Sequence, residues 1–95
     1  MGLDQSISFE NQYNNDSMKW YFRKNWDLHE WMVQRFSLEE GVIVQTLSYQ
    51  DIEDLFKEWN TSISESHQEV ISCCRSILNH PHWFDSQELI YFAWY

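Results

Sequence analysis

The chain has 95 residues and a mass of 11.7 kDa, the size of one domain. Hydrophobic residues make up 43% and charged residues 22%, a composition typical of a folded globular protein rather than a disordered one. Six basic against 15 acidic residues give a net charge of −9, which disfavours binding to nucleic acids and to anionic membranes. No apolar run is long enough to span a membrane, and the only cysteines, Cys73 and Cys74, are adjacent. We therefore expect a protein of a reducing cytoplasm.

Aromatic side chains are the unusual part of the composition. Six Trp, six Phe and five Tyr make up 18% of the chain. Rings fill a small core efficiently, but a domain of this size buries only about two-thirds of its unfolded surface. We expect most rings to lie in the core and some to lie at a surface or an interface.

The first half of the chain predicts strand, helix and strand. Alternating apolar residues and serines predict a strand over Leu3–Phe9. An amphipathic pattern predicts a helix over residues 20–36, capped by Asn25 or, if it is longer, by Ser17. Gly41–Leu47 is β-branched and apolar, which predicts a second strand.

The second half begins with the best-defined element, a helix over residues 49–60. Ser48 and Asp51 form a variant of the capping box, and apolar residues follow at helical spacing. A third helix is predicted over residues 66–78, and the aromatic tail, residues 89–95, is predicted as a strand in preference to a docked helix. The sequence thus predicts one compact α+β domain over residues 1–95, with two or three strands and three helices.

Carboxylates form a row along one flank of the 49–60 helix, and this row is the first candidate site. Asp51, Asp54 and Glu58 belong to it, and Glu39 and Glu40 extend it. Fixed carboxylates can imitate DNA phosphates and steer a protein towards a basic groove on a partner. The simpler interpretation is a solvated helix face.

Exposed rings are the second candidate. Trp20, Trp26 and Trp83 can anchor a protein partner, because Trp, Tyr and Arg are enriched at binding hot spots. The mixture of rings with Arg23 and Lys24 also allows stacking on single-stranded nucleic acid. The alternative is a helix start that packs into the core.

A third possibility is chemistry at His67, Cys74, His80 and His82, which lie within sixteen residues of one another. Zinc binds Cys and His side chains in tetrahedral sets, and a Cys–His pair can act as a nucleophile. The spacing fits neither well, and a buried thiol with loop histidines explains the same residues. We expect neither a metal nor a cofactor, and no catalytic residue.

Three short patches resemble a family of small uncharacterised phage and prophage proteins. The opening Met1–Asp4 is similar to the start of that family. The aromatic–Arg–Lys segment over residues 20–25, followed by Leu28–Val33 with its His and Trp, resembles a second patch, and Leu47–Leu55 resembles a third. The resemblance implies a phage gene product that acts in a bacterial cytoplasm.

These observations predict a non-enzymatic protein-binding module, such as a phage-encoded inhibitor that blocks a host nucleic-acid-handling or defence complex. The partner would be a host protein with a basic surface, bound by the acidic row and anchored by the exposed rings. One alternative is a self-associating accessory subunit, as a homodimer. The other is a small metal protein or enzyme that uses His67, Cys74, His80 and His82.

Overall fold

The computed structural model describes residues 2–10, 18–39 and 41–94. Its strands and helices, in chain order, are β1 (Asp4–Glu10), β2 (Lys19–Arg23), α1 (Trp26–Phe36), β3 (Ile43–Leu47), α2 (Tyr49–Trp59), α3 (Glu65–Leu78), a short 3₁₀ helix (Pro81–Phe84) and β4 (Glu88–Trp94). The strands form one antiparallel sheet in the order β2-β1-β4-β3. No helix in the described parts of the chain is both long and apolar enough to cross a membrane.

The predicted fold class is wrong in its strand count, because the sheet has four strands rather than two or three. The additional strand is β2. All of its residues except Lys19 lie within the range 20–36, which the sequence predicts to be helical. In the structure Lys19–Arg23 is extended and pairs with β1, and the helix starts only at Trp26. Lys24, in the left-handed conformation with φ of 56°, turns the chain from strand to helix, and the Asn25 side chain caps the helix by accepting from Leu28 N–H.

One face of the sheet forms the core with the helices. Alternate residues of β1 and β4, including Ile7, Phe9 and Leu89, point into this core and are fully buried. Helices α2 and α3 contribute Ile52, Leu55, Val70, Cys74 and Ile77. The three helices, which we call the helical layer, therefore lie on a single side of the sheet.

A buried hydrogen-bond network joins the sheet to the start of α1. Gln5 Nε2 donates to the Asn25 carbonyl at 3.0 Å and to the Tyr91 hydroxyl at 2.9 Å, and Gln5 Oε1 accepts from Asn25 N–H at 2.9 Å. Asn25 Nδ2 donates to Glu69 on α3 at 2.7 Å, and His29 Nδ1 lies 3.0 Å from the Tyr91 hydroxyl. Because buried polar groups must be paired, this network fixes the register between β1, β4, α1 and α3.

Candidate functional site: an open sheet face and an acidic helical layer

The second face of the sheet is not covered by any described element, and we call it the open face. The strand registers arrange its outward side chains in rows that run across all four strands. The central rows are Lys19–Ser8–Ile90–Thr46 and Tyr21–Ser6–Phe92–Val44, and the row at one end begins Arg23–Asp4–Trp94.

Large and small side chains alternate from strand to strand on the open face. Strand β4 presents Ile90, Phe92 and Trp94, which form a ridge, whereas β1 presents Ser6 and Ser8, which form the floor of a trough. Both serines are buried. The resulting concave surface has a volume of about 600 Å³ and is lined mainly by apolar atoms.

A cluster of exposed apolar residues lies on this face. Tyr21 is 72% exposed, Val44 62% and Trp94 37%, so three of the seven large hydrophobic residues that are exposed in the described chain lie together here. Contiguous apolar patches of this kind mark interaction surfaces, whereas isolated apolar side chains at a surface are ordinary. The strand pairing that creates this patch joins residues up to 90 positions apart. No short motif in the sequence therefore predicts the patch.

The acidic row of the 49–60 helix has internal partners in the structure. Asp51 and Asp54 both accept from the Arg35 guanidinium at 2.7 Å, and Asp51 also completes the capping box with Ser48. The hydrogen bond from Gln50, followed by that from Arg35, lowers the pKa of Asp54. This part of the row therefore joins α2 to α1, and Asp51 is buried.

The other residues of the predicted row have different surroundings. Glu58 is exposed and accepts a hydrogen bond from Trp31 Nε1 across the same seam between α1 and α2. Glu39 is exposed beyond the end of α1, and Glu40 lies outside the described residues. The structure thus brings Asp51, Asp54 and Glu58 to one seam between α1 and α2.

Of the three predicted tryptophan anchors, one is exposed. Trp26, at the first position of α1, is 51% exposed. Trp20 and Trp83 are half-buried against Phe9 and the hydrophobic core, with ring centroids 6.3 and 5.6 Å from that of Phe9. Two of the three tryptophans predicted as surface anchors thus pack in a small aromatic cluster. This is the alternative interpretation, in which such rings pack into the core.

The residues proposed for metal binding or thiol chemistry do not converge. Burial raises the pKa of the Cys74 thiol to about 12, and burial also raises that of Cys73, so neither is an activated nucleophile. The His80 ring stacks on the Trp83 ring, with the ring centroids 4.0 Å apart, and His82 is exposed. Within the described residues no group of three or more His, Cys, Asp or Glu side chains has metal-binding geometry.

His67 contacts a serine and an aspartate, the partners that a histidine has in a catalytic triad. Its Nδ1 lies 2.8 Å from Ser62 Oγ and its Nε2 lies 3.2 Å from Asp27 Oδ2. However, Ser62 Oγ also accepts the Ser64 N–H at 3.2 Å, so the nearest backbone donor is not available to stabilise an oxyanion. The His67 ring is stacked on the Trp59 ring, with the ring centroids 4.1 Å apart. We interpret these contacts as a clamp that holds the loop before α3 against α1.

Charge is distributed unevenly between the two sides of the molecule. The helical layer carries eight carboxylates and three cations, on α1 (Asp27, Glu30, Arg35), α2 (Asp51, Glu53, Asp54, Lys57, Glu58) and α3 (Glu65, Glu69, Arg75). The open face carries Lys19 and Arg23 against Asp4, Glu10 and Glu88, and is close to neutral. The negative charge of the protein is thus concentrated on the side opposite the apolar face.

Comparison with known proteins adds no identity. No protein-family model, no curated protein and no solved structure matches this chain significantly.

Proposed function

We propose that the chain is a non-enzymatic protein-binding module whose helical layer meets a basic surface on its partner. One observation carries the proposal: eight carboxylates and only three cations lie on the helical layer, and one of these cations, Arg35, is already paired with two carboxylates. Such a surface favours basic partners, accelerates association with them and disfavours nucleic acids.

In its finer form the proposal is a phage-encoded inhibitor that acts in the host cytoplasm. The partner is then a bacterial nucleic-acid-handling or defence complex, and the inhibitor blocks its basic groove sterically. The net charge of −9 and the resemblance to small phage proteins support this form. Because Arg35 neutralises part of the Asp51–Asp54 pair, mimicry of DNA phosphates has to rely chiefly on Glu53, Glu58 and Glu65. Trp26 is the exposed ring best placed to anchor the contact.

The test is affinity capture from bacterial lysate with charge-reversed variants. The double variant Glu53→Lys/Glu65→Lys alters two helical-layer carboxylates that make no hydrogen bond within the described residues. The control, Glu39→Lys/Asp85→Lys, changes the net charge equally at two exposed carboxylates that lie outside α1, α2 and α3 and outside the sheet. If exposed charge pairs each contribute up to about 1 kcal/mol, we expect the first variant to bind its partner about tenfold more weakly.

The expected partner is a nucleic-acid-binding protein that elutes with added salt, is displaced by DNA, and is retained by the control variant. An equal loss of partner binding in both variants would mean that binding depends only on the net charge of the protein. That result would contradict a specific role for the helical layer. The absence of any specific partner at low salt would contradict the binding-module proposal itself.

A further inference from the structure

The open face has a pattern that complements itself, and this goes beyond the proposed function, which concerns the opposite side of the molecule. Strands β1 and β4 are the two central strands, with β2 and β3 at the edges. A two-fold axis parallel to the strands, placed between β1 and β4, brings β1 of one copy opposite β4 of the other and β2 opposite β3. Antiparallel sheets pack in this face-to-face manner, about 10 Å apart.

This operation places large side chains opposite small ones. The β4 ridge of each copy lies over the β1 trough of the other, so that Phe92 faces Ser6 and Ile90 faces Ser8. Tyr21, on the edge strand β2, then faces Val44 on β3. The interdigitation of large with small residues is what fills the space between two packed sheets.

The size of the face is sufficient for a specific but weak dimer. Four strands about 4.8 Å apart, with five to seven residues at about 3.3 Å each, span roughly 20 by 20 Å. Two such faces bury on the order of 1,000 Å² in total, close to the lower limit for a specific interface. Because the contact is small and each copy carries −9, we expect dissociation in the micromolar range and a dimer that salt strengthens.

We propose that the open face is a homodimer interface in which the β4 ridge of each copy occupies the serine trough of the other. The dimer covers Tyr21, Phe92 and Trp94 and leaves both helical layers on the outside. Two acidic surfaces then point in opposite directions, so that one dimer can engage two basic sites. At the rim, Glu10 of one copy lies opposite Glu88 of the other, and Lys19 lies diagonally beside them, which limits the repulsion between these carboxylates.

The test exchanges the facing residues. Phe92→Ser removes the large side chain and Ser6→Phe fills the trough, so each single variant is expected to weaken the dimer at least tenfold. The double variant Ser6→Phe/Phe92→Ser restores a large residue opposite a small one and is expected to recover the dimer. Ile63→Ser, at a residue that is 93% exposed elsewhere on the surface, is the control and leaves the dimer unchanged. Light scattering measures the mass between about 1 μM and 1 mM, and circular dichroism confirms that each variant is folded.

The expected result is a mass that rises towards twice 11.7 kDa with concentration, and more readily at high salt. A wild-type protein that stays at 11.7 kDa throughout overturns the proposal. A dimer that the folded single variants do not weaken, or that the folded double variant does not recover, also overturns it, because another surface then makes the contact. Neither result bears on binding by the helical layer, which is measured separately with the lysate partner.

Discussion

At the scale of single residues, His29 is a buried titratable group beside Tyr91. Its Nδ1 lies 3.0 Å from the Tyr91 hydroxyl, which also accepts a hydrogen bond from Gln5 at 2.9 Å. Burial lowers the pKa of His29 from its ordinary value of 6.5, which favours the neutral imidazole.

Folding stability should therefore depend on pH through His29. Since the pKa is lower in the folded state than in the unfolded state, the unfolded chain takes up the proton first as the pH falls. The stabilising contribution is complete above pH 6.5 and is lost as the pH falls through the lowered pKa. We expect the urea midpoint of the wild type to decrease between pH 7.5 and pH 5.5, a window above the titration of most carboxylates.

Two variants isolate this effect. His29→Gln cannot titrate, so its midpoint should start lower at pH 7.5 but change less with pH than that of the wild type. His82→Gln alters an exposed histidine and should keep the wild-type slope. If His29→Gln retains the full slope, a different group is responsible for the pH dependence.

At the scale of elements, local sequence signals were sufficient to predict some helices and strands but not others. The helix predicted at 49–60 is confirmed as Tyr49–Trp59, because its capping box and its helical spacing are contained within twelve residues. Strand β2 was not predicted, because its three aromatic residues directly precede a strong helical pattern. Only its pairing with β1, which is distant in the chain, selects the extended form. The tail strand, β4, is confirmed, since its aromatic composition is strongly typical of strands.

The cap of α2 is expected to stabilise the protein measurably. Ser48 Oγ accepts from Asp51 N–H at 3.1 Å, and Asp51 accepts from Ser48 N–H at 2.7 Å while also holding Arg35. Ser48→Ala should lower the free energy of unfolding by about 1 kcal/mol. Ser64→Ala is a matched control, because Ser64 is the N-cap of α3 but makes no capping hydrogen bond, its hydroxyl lying instead 2.9 Å from Ser66 Oγ, and it should cost clearly less. Equal losses in urea unfolding would contradict a specific role for the capping box.

At the scale of the whole molecule, the candidate surfaces were only partly predictable. The excess of carboxylates could be counted from the sequence, but their pairing with Arg35 and Trp31 depends on how α1 packs against α2. The open face could not be predicted, because its rows join four strands that are distant in the chain. The surplus of rings was expected to place some at an interface, and Tyr21 and Trp94 are the exposed rings of the open face.

We propose different roles for the two sides of the molecule: the open face pairs with a second copy, and the helical layer stays accessible to a basic partner. In this arrangement most carboxylates lie away from the open face, and a strongly acidic interface would oppose self-association. It also predicts opposite salt dependences for the two contacts, with the dimer strengthened and the partner complex weakened by added salt.

Hydroxyl-radical footprinting across a concentration series tests these two roles most directly, because it reports on both sides of the wild-type protein in a single experiment. Oxidation of Tyr21 and Trp94 should slow several-fold between low micromolar and near-millimolar protein, whereas oxidation of Trp26, which is 51% exposed on the helical layer, should not change. Concentration-independent oxidation of Tyr21 and Trp94, or protection of Trp26 instead, would contradict the assignment of the open face as the surface that pairs with itself.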